Sequence, residues 1–310
     1  MADAAPFLAD LADGPEGGHA VWTHAADGVR LRIGLWPRAD AAGTVLLFPG
    51  RTEYIEKYGR AARDLAARGL ATVAIDWRGQ GLADRLLPDA APGHVADFAD
   101  YQLDVAALVA VARAQGLPEP YTLIGHSMGG CIGLRAVMDG LPVKAAAFSA
   151  PMWGIAIAGM MRPAAWALSW AARRINLGHA YPPGTSGESY AAATPFDDNM
   201  LTRDREMFDY MRRQVVEKPE LALGGPSYQW LNEALTECRA LSRLPAPDLP
   251  CVTFLGTHER IVDPGRIHAR MAQWPRGRLE IVDGGEHETM MERPEVRARF
   301  FDAVAGIADA

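Results

Sequence analysis

The sequence predicts an α/β protein: a mostly parallel sheet with helices on both faces, interrupted by one helical insertion. Three observations predict it. Short apolar runs of strand length alternate with segments of helical spacing through residues 44–149. The alternation stops from Pro151 to about Arg243, a stretch rich in Met and Trp with no clear buried strand. It resumes at Cys251. With 310 residues, 49% of them hydrophobic, the chain can bury a full core without a disulfide or metal staple.

In order, a short acidic leader precedes Ala20–Trp36, which reads as a hairpin whose two alternating runs flank an Asp27-Gly28 turn. Thr44–Phe48, ended by Pro49-Gly50, is expected to be a buried strand. Ile55–Arg68 has helical spacing and stops at Gly69. Ala71–Ile75 is strand-like, Phe98–Gln115 helical and closed by Gly116. Tyr121–Ile124 reads as a strand, Met128–Gly140 as a helix and Lys144–Ser149 as a strand. In the insertion, Pro163 suits the first position of a helix carrying Trp166 and Trp170 on one face. Leu201–Val216 sets Met207, Met211 and Val215 on one stripe. A strand at Cys251–Gly256, a helix at Pro264–Trp274, a strand at Arg278–Val282 and a helix from Pro294 follow. The expected division is a core over residues 1–150 and 244–310, with a helical cap over 151–243.

Composition excludes several functions. Lys plus Arg number 31 against 38 Asp plus Glu, a net charge of -7, so there is no electrostatic footprint for nucleic acid. Cys131, Cys238 and Cys251 are too few and too scattered for a disulfide framework and fit a reducing cytoplasm. The N-terminus lacks the basic region of a secretory signal. The most apolar stretch, Pro151–Ala172, is split by Arg162 and Pro163, which argues against a membrane span. A cytoplasmic protein is expected, with a lipid-facing patch left open.

The strongest chemical signal is Gly125-His126-Ser127-Met128-Gly129, between a predicted strand and a predicted helix. A serine at such a turn is held in a strained backbone with its hydroxyl exposed, and side chains two residues either side would collide with neighbouring elements. A serine hydroxyl needs a base, oriented by a carboxylate, and in this architecture the order is serine, acid, histidine. Of eight histidines, His287 is the expected base, because its loop Asp283-Gly284-Gly285-Glu286 can reach over the strand ends. The acid is expected after Cys251–Gly256, where Glu259 and Asp263 both qualify. Glu259 is preferred, since Asp263 precedes Pro264 and doubles as a helix N-cap. The oxyanion donors are expected to be the backbone N–H groups of Met128 and Arg51. His126 is expected to line or support the site. His287-Glu288 begins like a zinc-protease motif, but Met291 stands where the second histidine is required. Gly79-Gln80-Gly81 lacks the third glycine of a dinucleotide fingerprint.

These residues resemble the serine α/β-hydrolases, and more narrowly their monoacylglycerol lipase and lysophospholipase group, from about Trp22 to Gly306. The resemblance rests on LLFPGRTEYIEKYGRAARDLAARG, DWRGQGLADR, GHSMGG, GTHERIVD and GGEH, and on LTRDREMFDYMRRQVVEKPELALGGPSYQWLNEAL in the insertion. Many relatives have His-Gly where this chain has Pro49-Gly50, and Asp where it has Glu259. The resemblance implies an α/β-hydrolase fold with a helical cap, and hydrolysis of a carboxylic ester through an acyl-serine, with no metal or organic cofactor. The implied substrate is a single-chain lipid ester, a lysophospholipid or monoacylglycerol. Small-ester hydrolysis or acyl transfer on the same fold is the alternative, and a non-catalytic ligand-binding relative a more distant one. His126, Trp153, Met160 and Trp230 are candidate substrate-binding residues, and the Met- and Trp-bearing cap would suit an acyl chain. Transient contact with the inner membrane face through the cap is the expected partner interaction.

Overall fold

The apolar runs become strands because most of them are covered on both faces. In the computed structural model, which describes residues 3–309, nine strands form one sheet. They are β1 (Ala4–Ala5), β2 (His19–His24), β3 (Arg30–Trp36), β4 (Gly43–Phe48), β5 (Leu70–Asp76), β6 (Tyr121–His126), β7 (Ala145–Ser149), β8 (Cys251–Gly256) and β9 (Gly277–Val282). The spatial order is β1-β2-β3-β5-β4-β6-β7-β8-β9. Pairing is antiparallel as far as β3/β5 and parallel from there on.

Strands β4 to β8 are buried along their whole length. Alternation along β4 feeds two cores: Leu46 and Phe48 enter one, Val45 and Leu47 the other. Helices Tyr101–Ala114, Met128–Met138 and Pro264–Met271 cover the first, and Gly59–Ala66 and Pro294–Asp309 the second. Fully buried Phe148, Phe254, Phe300 and Phe301 each contribute about 1.5–3 kcal/mol by leaving water. The chain turns from β4 to β5 on one side and then crosses to β6 on the other. The loops after β4 and β6 therefore diverge, opening a crevice at the carboxyl ends of the strands.

Among the described residues no strand lies between Ser149 and Cys251. That segment holds helices Arg162–Arg174, Tyr190–Ala193, Arg205–Glu217 and Tyr228–Leu241. Asp204 and Ser227 start the last two by accepting the backbone N–H of Met207 and Trp230. The Met207, Met211 and Val215 stripe is buried, as its spacing required. Tyr210 Oη lies 2.8 Å from Ala12 O and 2.9 Å from Glu56 O, and Gln214 Nε2 donates to Leu11 O at 2.7 Å. By contrast, Arg162–Arg174 buries only Ser169 and Ala172, and Tyr190–Ala193 buries nothing.

Three details differ from the sequence reading. Part of the acidic leader is β1, paired with the free edge of β2 through Ala4↔Val21; two residues are too few to leave an alternating pattern. Ile55–Tyr58 is a 3-10 turn, and the helix begins only at Gly59, where a Cβ would overlap Ala12 O. Strand β6 runs on to His126, so the nucleophile candidate follows the strand immediately.

Candidate active site

Ser127 stands between β6 and the helix Met128–Met138 with φ 48° and ψ -118°, a conformation that costs a non-glycine residue about 1–3 kcal/mol. The flanking glycines make it attainable. A Cβ on Gly129 would overlap Phe48 O of β4, and one on Gly125 would lie 2.9 Å from Gly129 O. Ser127 opens onto a cavity of about 520 Å³ at the strand ends, and His287 lines the same cavity.

The loop after β9 carries His287, and the loop after β8 carries Glu259. Nδ1 of His287 is 2.7 Å from Oε2 of Glu259, with both side chains buried. Oε1 of Glu259 accepts the N–H groups of Ile261 at 2.6 Å and Val262 at 2.9 Å. Burial alone would raise the Glu259 pKa; the charge and hydrogen bond of His287 and the two backbone donors outweigh it and hold the carboxyl below its ordinary value. Asp263 instead accepts the N–H of Arg266 as the N-cap of Pro264–Met271 and pairs with Arg162 at 3.0 Å. The N–H groups of Arg51 and Met128 are engaged by no protein acceptor among the described residues.

A second buried group joins these loops. Lys57 Nζ lies 2.5 Å from Glu53 Oε1 and 2.6 Å from Glu288 Oε1. His126 Nε2 lies 3.2 Å from Glu288 Oε2 and 3.4 Å from Glu53 Oε1, while its Nδ1 is 3.0 Å from Ser149 O. Glu53 Oε2 also accepts the N–H of Gly50 and the hydroxyl of Tyr58. Burial would lower the pKa of His126, but Glu288 and Glu53 raise it above the ordinary value. Burial would likewise lower that of Lys57, and the same two carboxylates raise it. Burial would raise that of Glu288, yet His126 and Lys57 hold it well below. Glu53, His126 and Glu288 are close enough to gather a cation. The Lys57 ammonium already sits between the two carboxylates and offsets part of their charge. The sequence reading had His126 lining or supporting the site, but not its grouping with Glu53, Lys57 and Glu288. Its traces were the four-residue spacing of Glu53 and Lys57 and the position of Glu288 beside His287.

The expected substrate-binding residues need correction. Of His126, Trp153, Met160 and Trp230, only Trp230 lines the cavity. His126 is 0% exposed, being sealed by the ion pairs just described. Trp153 is buried against Phe148 and Trp274, with its Nε1 donating to Gly130 O at 3.1 Å. Met160, 95% exposed, projects away from the fold at the start of the insertion. The apolar lining comes instead from Met152, Ile155, Leu201, Met211, Val215 and Leu223. Asp76, at the end of β5, is structural: it pairs with buried Arg32 at 2.7 Å and accepts the N–H groups of Ile55 and Leu82.

A strained serine at a strand-to-helix elbow of such a sheet defines the α/β-hydrolase class. Residues 39–294 match the family described as serine aminopeptidase, S33, and the chain belongs to that hydrolase family. It is 32% identical to lysophospholipase L2 of Escherichia coli over 84% of this chain and 78% of that protein. It is 25% identical to the probable lysophospholipase L2 of Haemophilus influenzae, over 86% of this chain and 84% of that one. A soluble variant of the monoglyceride lipase of Saccharomyces cerevisiae, solved with a substrate analogue, shares the fold at 20% identity. Its TM-score is 0.69, with 93% of this chain and 94% of that chain covered. The chain is a carboxylic ester hydrolase with a nine-stranded, mostly parallel sheet.

Proposed function

We propose that the protein hydrolyses the acyl ester of single-chain lipids, lysophospholipids or monoacylglycerols, through an acyl-serine intermediate. The observation that carries this reading is the shared cavity, with Ser127 and His287 in its wall and an apolar lining of acyl-chain character. Ser127 Oγ attacks the ester carbonyl carbon as its proton passes to Nε2 of His287, whose charge and tautomer Glu259 holds through Nδ1. The N–H groups of Arg51 and Met128 receive the developing oxyanion. Collapse breaks the C–O bond to the alcohol, which leaves with the proton from His287. Water, activated by the same imidazole, then cleaves the acyl-serine and frees the fatty acid.

In this reading residues 151–243 form a cap over a core made of residues 1–150 and 244–310, and the enzyme works in the cytoplasm against the inner membrane face. Among the described residues no helix is long and apolar enough to cross a membrane. The cap does carry exposed apolar side chains, Met160, Met161, Trp170, Ile175 and Leu177, in a stretch from Gly140 to Gly187 without a single Asp or Glu. Trp170 and Arg174, stacked at 3.7 Å, suit a lipid interface.

The test is fatty-acid release from a lysophospholipid, a monoacylglycerol and a short aryl ester, each measured against Ser127→Ala. Release favouring the long-chain lipids, and lost in the variant, is expected. Turnover of the aryl ester alone would move the reading to a small-ester hydrolase, and ester synthesis when an acceptor alcohol is added would move it to an acyltransferase.

A further inference from the structure

The Arg51 side chain has no evident work in the ester chemistry, which uses only its backbone. It lines the cavity that Ser127 and His287 share. A guanidinium has five N–H donors, and the structure gives this one a single protein acceptor, Gly224 O at 2.7 Å from NH1. The rest of its support is the ring of Trp230, 5.5 Å from its centre. Among the described residues no carboxylate lies within ion-pairing distance of it. The other basic groups of the cavity wall differ: Lys57 has two carboxylates, and His287 has Glu259. Burial pushes the Arg51 pKa down to about 10, opposed by the Tyr101 hydroxyl, so the group is still a cation at neutral pH.

A half-buried, charged and unmatched guanidinium is unfavourable unless something anionic completes it. The surrounding wall leaves room for that. Gly93 holds no side chain against NH1, and a Cβ there would come within 3.2 Å of it. Thr185 and Ser186 pack against Gly225, next to Gly224, and give polar lining near Arg51 beside Leu223, while Met152, Ile155, Met211 and Val215 supply apolar lining. A lysolipid has that division: a chain to be buried and a phosphodiester to be matched. A monoacylglycerol offers only hydroxyls, which leave the charge uncompensated, whereas phosphate oxygens fit the guanidinium fork.

Building on the single-chain lipid reading, we propose that the Arg51 guanidinium binds the head-group phosphate of a lysophospholipid whose acyl ester lies at Ser127. Arg51 is then the residue that separates phosphate-bearing from neutral substrates. The discriminating quantity is the ratio of kcat/KM for a lysophosphatidylglycerol to that for a monoacylglycerol of the same chain. It is measured in the wild type, Arg51→Met and Arg51→Lys, with Tm recorded to establish folding. The ratio should exceed one in the wild type and fall about ten- to a hundredfold in Arg51→Met, the worth of a hydrogen bond to a charged group. Arg51→Lys, which keeps the charge and loses the fork, should fall between them. Glycerophosphate should compete with aryl-ester turnover in the wild type, more strongly than inorganic phosphate, and lose that advantage in Arg51→Met. Equal losses on both lipids, or a wild-type ratio of one or less, would overturn the proposal while leaving the lipid-ester reading intact. Should neither lipid be turned over, that reading fails, and the glycerophosphate competition alone decides for or against Arg51.

Discussion

Glu259 has both carboxylate oxygens occupied, one by His287 and one by two backbone N–H groups, so its position and charge are fixed before any substrate arrives. Its neutral isostere should therefore be severely impaired: Glu259→Gln is expected to lower kcat by about 10³–10⁴, through the wrong imidazole tautomer. Asp263→Asn should leave kcat almost unchanged, because asparagine also caps a helix. Steady-state kinetics of the two variants decides the acid, and a larger loss at Asp263 would reverse the assignment. Ser127→Ala and His287→Ala should each remove up to about 10⁶ in kcat, since such groups act as a unit. At this scale the sequence was readable wherever chemistry demands a residue type in a fixed loop. Glu259 pairs with His287, and His287 shares one cavity wall with Ser127. The Arg51 side chain was not readable, because nothing local distinguishes a cavity guanidinium from a solvated one.

The loop after β4, the elbow after β6 and the loop after β9 meet at Lys57, Glu53, His126 and Glu288. Removing the ammonium leaves two buried carboxylates with His126 as the one basic side chain still facing both. Lys57→Met should destabilise the fold by about 3–5 kcal/mol, with part of the loss restored by Glu53→Gln in the same chain; denaturant unfolding measures both. The network also has a pH window. The Glu288 pKa is lowered, so its contribution is full above the ordinary carboxylate value and is lost as pH falls through the lowered one. The His126 pKa is raised, so its contribution is full below the ordinary histidine value and is lost as pH rises through the raised one. A Tm–pH profile should therefore decline on the alkaline side, and this decline should flatten in His126→Gln. The elements themselves were legible because strand and helix periods differ. The network was not, because Glu53 and Glu288 are 235 positions apart and only the closed sheet brings them together.

For the molecule as a whole, the exposed apolar side chains at Met160, Met161, Trp170, Ile175 and Leu177 predict a dependence on how substrate is presented. In Trp170→Glu, the rate on vesicle-borne lysolipid should fall relative to that on a monomeric aryl ester, as co-sedimentation with vesicles also falls. An unchanged ratio would separate Trp170 from the membrane. The two halves of the insertion differ in how they are held. Tyr210 and Gln214 fasten Arg205–Glu217 to the backbone of Leu11, Ala12 and Glu56, whereas the helices before it bury almost nothing. The cavity thus has one wall, with Met211 and Val215, bolted to the frame and another, in residues 184–194, hung from it. Fatty-acid departure should accordingly swing the hung leaf alone, and a crosslink between that leaf and the core should trap product without slowing the first acylation.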